Sequence, residues 1–337
     1  MSDAMIKVAI IGCGAIASVH YDVAHAHDAF CVIGVYDASV ERAEAFAKER
    51  SLEVYPTMDA LLASEASLVA ICTPSGLHAS LAIQCMRAGK HVVVEKPIAL
   101  TEEDCDALLA AERETGCICA PISQLRYYDD IRRAKEILES GVLGKPVLCD
   151  LYMKYYREKA YYQNSWRGTV AMDGGGALMN QGIHGIDALR YLMGDVASVN
   201  AKVRTLVHDI EVEDTAVATV EFANGAVGVI EGTTSVRPGF PRRFEIHCEN
   251  GSMIIEENRI IHLDLPSFSL KEQEHSYNSS SNPMNISHEG HHRQYVNLLE
   301  AIEGKAPLYY TAEEAAKSVK TVLAIYRSSR ERVDVNP

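Results

Sequence analysis

The first 120 residues alternate two hydrophobic periodicities in a fixed rhythm, and nothing else in the chain constrains its fold as strongly. Short β-branched runs stand at 7–11, 32–36, 68–72 and 91–95, with a weaker one at 117–122. Amphipathic helical stretches fill the gaps at 15–26, 40–50, 77–88 and 102–115. Thr101 ahead of Glu102 reads as a helix start, and Gly89 and Gly116 read as helix ends. Strands that alternate with helices predict βαβ units, a parallel sheet and right-handed crossovers.

That rhythm breaks near residue 122. Residues 129–140 read as a helix closed by Gly141, followed by a strand near 147–155 and a helix over 177–193. Six strand-like runs then follow with no helix between them, at 196–206, 215–222, 226–234, 243–248, 252–256 and 259–265. Asn224-Gly225 and Asn250-Gly251 are hairpin signals. Successive strands of this kind predict an antiparallel sheet, hence a second, α+β domain. Residues 266–290 are polar, include Ser279-Ser280-Ser281, and are expected to form a mobile loop. Two helices finish the chain, with Thr311 and Glu314 as a capping box for the last. The expected domains are 1–122 and 123–337, which suits 337 residues at ~150 per domain.

Composition narrows the partners. With 47% hydrophobic and 23% charged residues the chain is globular, not disordered, collagenous or a coiled coil. A formal net charge of −14 opposes binding to DNA phosphates or an anionic membrane surface. It does not oppose a small anion, which one local Arg or Gly-rich loop can hold. The nine cysteines are odd in number and contain no CxxC pair, so reduced thiols in a cytoplasmic protein are expected. No 18-residue apolar run occurs. Ile10-Ile11-Gly12-Cys13 imitates a lipoprotein cleavage box, but Lys7 interrupts the short apolar stretch before it and no export signal is expected.

The chemistry concentrates at strand ends. Gly12-Cys13-Gly14-Ala15-Ile16-Ala17 is a GxGxxA that follows a strand and opens a helix. Gly12 permits the tight turn, and Gly14 lets backbone approach a pyrophosphate. The N–H groups of Ala15 and Ile16 would then face the pyrophosphate, and Ala17 keeps helix and strand close. Asp37 ends the next strand, where a carboxylate can accept from both adenosine ribose hydroxyls and would repel a 2′-phosphate. NAD is therefore expected, and NADP disfavoured. Asp37 could instead be an ordinary cap for the helix after it, and Arg42 is near enough to blur the choice. Thr73, Pro74 and His78 follow the strand-like run at 68–72, and Glu95 and Lys96 stand at the end of the run at 91–95; all five are candidate cofactor-side residues. A surface lysine and a helix-start histidine are the plainer readings of Lys96 and His78.

In the second half, Gly174-Gly175-Gly176 leads into a helix that carries Asn180 and His184 four residues apart. Asp187 can hold the imidazole or satisfy a neighbouring helix. His288-Glu289-Gly290-His291-His292 satisfies HExxH, but that pattern needs an established helix. Here it follows Asn282-Pro283, contains Gly and lies at a helix start, so neither a zinc protease nor a metal is expected.

GCGAIA at 12–17, TPSGLH at 73–78, EKP at 95–97, GGGALMNQGIHGID at 174–187 and the segment 307–329 together resemble the Gfo/Idh/MocA oxidoreductases. These include glucose–fructose oxidoreductase and inositol dehydrogenase, and the resemblance covers almost the whole chain. It implies an N-terminal Rossmann domain and a C-terminal domain with a large, mostly antiparallel sheet, one face of which builds dimers or tetramers. It also implies hydride transfer between nicotinamide and a hydroxyl-bearing carbon of a sugar, sugar acid, nucleotide sugar or cyclitol. Lys96 then takes the place of the active-site lysine and His184 of the catalytic histidine, and the Lys96–Pro97 peptide should be cis. Asn180 departs from the Asp of many relatives and resembles the branch that acts on nucleotide-linked amino-sugar acids. An amide cannot accept a proton, so His184 or Lys96 must carry the acid–base step. Gln124, Arg126, Tyr162, Trp166 and Arg167 are expected on the substrate side, against core packing or surface ion pairs as alternatives. A non-catalytic, cofactor-sensing regulator and a dehydrogenase of another substrate, such as a trans-dihydrodiol, remain open on the same fold.

Overall fold

The computed structural model describes residues 5–163, 165–265, 268–270 and 288–337. In chain order its elements begin β1 (Ile6–Ile11), α1 (Ala15–His25), β2 (Phe30–Tyr36), α2 (Val40–Arg50), β3 (Glu53–Val54) and α3 (Met58–Leu62). Next come β4 (Leu68–Ile71), α4 (His78–Arg87), β5 (His91–Val94), α5 (Glu102–Thr115), β6 (Cys119–Pro121), α6 (Asp129–Glu139), β7 (Pro146–Lys154) and α7 (Val170–Asp173). A π-helical turn (Ala177–Gly182) leads into α8 (Ile183–Met193). Seven strands follow: β8 (Val196–Arg204), β9 (Thr215–Phe222), β10 (Val227–Thr233), β11 (Arg243–Cys248), β12 (Gly251–Glu256), β13 (Arg259–Leu265) and β14 (Phe268–Leu270). The chain closes with α9 (His288–Ile302) and α10 (Ala312–Glu331).

Two compact units result: Met1–Ile122 with Met284–Ala316, and Ser123–Pro283 with Lys317–Pro337. The first is the expected parallel sheet, in the order β3-β2-β1-β4-β5-β6. Its central strands are apolar throughout because both faces are covered; Leu68, Val69, Ala70 and Ile71 are all fully buried. Tyr295 and Leu298 of α9 join this core, which is why the segment 284–316 groups here rather than with 123–337.

In the second unit an eight-stranded sheet runs β14-β13-β12-β11-β7-β10-β9-β8. Every pairing is antiparallel except β7 with β10. Strict alternation along β9, with Ala216, Ala218 and Val220 buried and Val217, Thr219 and Glu221 exposed, marks one covered and one open face. The helix expected over 177–193 is not uniform: the Gln181 N–H reaches back five residues to the Gly176 carbonyl at 3.2 Å. Of the expected loop 266–290, residues 268–270 form β14 and 288–290 open α9, while 266–267 and 271–287 lie outside the described residues.

Candidate functional site

In the parallel-sheet unit the glycine loop is shaped by its neighbours. Gly12 has φ +90°, and a Cβ there would lie 2.8 Å from the Cys72 carbonyl oxygen, so only glycine fits. Gly14 caps α1 with no side-chain partner, and a Cβ there would meet nothing within 4 Å. Ala15 is exposed, Ile16 half-buried and Ala17 fully buried. The first turn of α1 thus offers backbone donors to open space, as a pyrophosphate requires.

Asp37 closes that loop from the end of β2. Its Oδ2 accepts from the Cys13 N–H at 2.8 Å, and its Oδ1 from the Ser39 N–H at 2.8 Å and from Arg42 Nη2 at 2.8 Å. Burial alone would raise the Asp37 pKa, but Arg42 and the two amides hold it below the ordinary value. The cap of α2 is Ser39, whose side chain accepts from the Arg42 N–H, so Asp37 is not spent on that task. An ionised carboxylate with acceptor capacity left on Oδ2 remains. Thr73 Oγ1, at the end of β4, is buried without a hydrogen-bond partner. An open glycine loop, a carboxylate at the second strand end and an orphaned hydroxyl at the fourth fit the phosphates, ribose and nicotinamide side of NAD.

Two expected cofactor residues are corrected here. Glu95 is 7% exposed; one carboxylate oxygen lies 3.1 Å from His20 Nε2, and the other accepts from the Lys96 N–H at 3.2 Å. His78 is 1% exposed, with Nδ1 2.7 Å from the Pro97 carbonyl and Nε2 2.8 Å from the Thr73 carbonyl. Neither side chain is open to a dinucleotide; both fix the loop that presents Lys96. Lys96 is half-buried, and the Lys96–Pro97 peptide is cis.

His20, Glu95 and His291 bring three buried donor atoms within 4.8 Å of one another. His20, however, spends Nε2 on Glu95 and Nδ1 on the Tyr295 hydroxyl at 2.7 Å. The HExxH residues do not assemble a site. His288 and His292 are exposed on α9, and Glu289 pairs with Arg293 at 2.8 Å.

In the second unit, Asn180 is buried in the π-helical turn and donates from Nδ2 to the buried carboxylate of Asp173. The other Asp173 oxygen accepts from the Gly168 N–H at 2.7 Å. Asn180 Oδ1 accepts from Gln181 Nε2 at 3.1 Å, and Gln181 is itself clamped by Arg157 at 2.7 Å and 3.2 Å. His184 is half-buried in the first turn of α8. Asp173, Gln181 and Arg157 are thus members of the Asn180 network that pattern reading overlooked. Asp173 alone left a signal, as the acidic residue immediately before the three glycines.

The expected substrate-side residues divide. Arg126 is 4% exposed and grips Asp187 through Nε at 2.9 Å and Nη2 at 2.7 Å, so it is corrected to a structural cation. Asp187 also accepts from Ser123 and from Ser318, which satisfies the second of its two readings, support of neighbouring segments. Gln124 keeps Oε1 buried and unpartnered. Tyr162 donates to Thr234 Oγ1 at 3.0 Å, and burial pushes its pKa up to about 12, so the phenol stays neutral. The Arg167 guanidinium lies over the rings of Tyr161 at 4.7 Å and Trp166 at 5.1 Å, all half-buried.

Residues 6–122 match the oxidoreductase family with an NAD-binding Rossmann fold, and 131–254 match the Gfo/Idh/MocA C-terminal domain. The chain belongs to the Gfo/Idh/MocA oxidoreductases. Within this family its fold is similar to that of WlbA dehydrogenase from Bordetella pertussis, solved in complex with NADH and UDP-GlcNAcA. The TM-score is 0.89 and the identity 29%, over 100% of this chain and 99% of that one. Levoglucosan dehydrogenase of Pseudarthrobacter phenanthrenivorans is 30% identical, over 57% of this chain and 56% of that enzyme. Myo-inositol 2-dehydrogenase of Thermotoga maritima is 27% identical, over 75% of this chain and 76% of that enzyme. As a family member, the chain is an NAD-binding oxidoreductase whose relatives are sugar, cyclitol and nucleotide-sugar dehydrogenases. Among the described residues, no helix is long and apolar enough to cross a membrane.

Proposed function

We propose that this oxidoreductase acts on a secondary hydroxyl of a sugar-like substrate, with a nucleotide-linked amino-sugar acid as the substrate class to test first. Asn180 carries that choice. It is an amide where many relatives have a carboxylate, and its own donor is already committed to Asp173. The likeness to WlbA dehydrogenase along the full chain supports the same class.

In this reading residues 1–122 hold NAD and 123–337 hold the substrate. Gly12, Gly14, Ala15, Ile16 and Ala17 form the pyrophosphate cradle, Asp37 takes the ribose, and Thr73 with Pro74 borders the nicotinamide. Bound NAD supplies a hydride acceptor at the nicotinamide C4. Lys96 donates a hydrogen bond to the reacting oxygen and favours its developing negative charge. His184 takes the hydroxyl proton as general base, since Asn180 cannot. Asn180 orients the substrate, and Gln124, Tyr162, Trp166 and Arg167 line its side, with Arg167 available to an anionic group. Assembly as a dimer or tetramer through the open face of the eight-stranded sheet belongs to the same reading. So does a cytoplasmic location, in keeping with nine free cysteines, six of them buried.

The test is NADH absorbance across nucleotide-linked amino-sugar acids, uronic acids, aldoses and inositols. Turnover should be fastest with the first class, and Lys96→Ala and His184→Ala should each lower kcat by about a hundredfold or more. No turnover on any substrate would leave the cofactor-sensing regulator as the better account. Full activity in both variants would remove the two residues from the acid–base role.

A further inference from the structure

The Glu95 carboxylate stands at the end of a hydrogen-bond chain whose direction is fixed by chemistry. Its Oε1 lies 3.1 Å from His20 Nε2, and His20 Nδ1 lies 2.7 Å from the Tyr295 hydroxyl. Its Oε2 accepts from the Lys96 N–H at 3.2 Å. An ionised carboxylate only accepts, so His20 carries its proton on Nε2. A neutral imidazole has one N–H, so Nδ1 accepts and the Tyr295 hydroxyl donates. The three protonation states agree with this order. Burial lowers the His20 pKa and keeps the ring neutral, although Glu95 pulls the other way. Burial opposes the Glu95 charge too, but its histidine neighbours hold the pKa well below the ordinary carboxylate value. Burial raises the Tyr295 pKa well above its ordinary value, so the phenol keeps the proton it donates.

We propose that His20 and Tyr295 are positioning residues for Lys96: the chain Tyr295–His20–Glu95 sets the backbone from which the lysine projects. This rests on Lys96 being the active-site lysine. The Glu95 backbone is tied to the end of β4, its N–H on the Ile71 carbonyl at 3.1 Å. Its carboxylate turns back onto the next peptide and holds the Lys96 N–H. Without a second partner that carboxylate could change rotamer and release the Lys96 peptide; His20 fixes it. His20 stands on α1, the helix whose first turn offers its backbone donors to the pyrophosphate. One helix therefore serves both the glycine loop and the loop that carries Lys96. Tyr295 stands on α9, 275 residues from His20, and locks the ring in its tautomer. His291, also on α9, places Nε2 3.6 Å from Glu95 Oε1, beyond hydrogen-bond length, and its ring meets His20 edge-on at 5.8 Å. It packs against the chain without completing it.

The experiment compares His20→Leu with His20→Gln, whose amide N–H can take the place of the ring N–H, on the substrate turned over fastest in the absorbance screen. In His20→Leu kcat should fall about tenfold or more, because the lysine is displaced rather than removed, while KM for NAD stays near wild type. His20→Gln should recover most of that loss. Equal kcat in the two variants, whatever happens to Tm, overturns the positioning role of His20. Tyr295→Phe should lower kcat in the wild-type background and have no further effect in His20→Leu, since it acts only through His20. No loss in the first background, or a loss that persists in the second, overturns the role of Tyr295. Should the variants not fold, a long-range proton–nitrogen spectrum of the wild-type chain, labelled in its histidine rings, reads the chain directly. The ring in contact with the Tyr295 hydroxyl proton should be protonated on Nε2 alone at about pH 7. Protonation on Nδ1, alone or together with Nε2, overturns the chain. Lys96→Ala separates this inference from the reading beneath it: full turnover there removes the active-site assignment of Lys96, and the ring spectrum stands independently of it.

Discussion

At the level of single residues, the proposed role of Asp37 in cofactor preference can be tested against its neighbour Arg42. The Arg42 side chain is 63% exposed and leans on Asp37 Oδ1, leaving Oδ2, which takes the Cys13 N–H, with acceptor capacity to spare. Removing the carboxylate in Asp37→Ala deletes the ribose acceptor and releases a guanidinium able to meet a 2′-phosphate. The preference for NAD over NADP should fall by about tenfold or more, read as the ratio of kcat/KM values. An unchanged ratio would show that the adenosine ribose is held elsewhere. The turn at Gly12 and the strand-end position of Asp37 were legible in the sequence because their reasons are local: a strand, a turn and the next strand end. The buried partners of Glu95 and Arg126 were not legible, because they are distant in sequence. Glu95 meets a histidine 75 residues away, and Arg126 a carboxylate 61 residues away. A charged residue beside a motif looks functional until its counterion is known.

One element up, the π-helical turn shows where periodicity stops informing. A 3.6-residue pattern over 177–193 predicts one helix, and the Gly-rich entry hints at something unusual without naming it. What opens the turn is Glu213, which accepts from the Gly176 N–H at 2.9 Å, the Leu178 N–H at 2.8 Å and the Tyr326 hydroxyl at 2.8 Å. It caps a helix that has no cap of its own, from outside its local sequence. Replacing it by alanine leaves three donors without an acceptor, so Glu213→Ala should destabilise the protein by about 3 kcal/mol. Because Asn180 sits in this turn, KM should rise as well. Burial raises the Glu213 pKa, and the two amides and Tyr326 only partly offset that. With the folded pKa above the unfolded one, this group's stabilisation is complete below the ordinary glutamate range. It is lost as pH rises through the folded value. Glu213→Gln should flatten that slope in denaturant titrations across pH. A slope equal to wild type would mean the carboxyl is not the titrating group.

Across the whole molecule, alternating patterns foretold two sheets of different kind, and the parallel order of the first followed from its strand–helix rhythm. The placement of β7 did not follow. It lies between β10 and β11, parallel to one and antiparallel to the other, a pairing that no local pattern encodes. Its insertion joins the strands on either side into one eight-stranded sheet. The open face is not uniformly polar: Val217 of β9 and Val227 of β10 are exposed by 46% and 51%. On a chain of net charge −14, apolar residues there favour burial against a second copy, while the charge opposes it. The two effects are separable at one position. Val217→Glu adds a buried negative charge and Val217→Lys a buried positive one, so if the face is an interface both should shift the mass measured by light scattering toward the monomer. Glutamate should shift it further, because it adds to the existing repulsion. NAD should still raise Tm in both variants, since the glycine loop lies in the other unit. An unchanged mass in both would place the assembly surface elsewhere, and dissociation by glutamate alone would make charge rather than burial the controlling quantity.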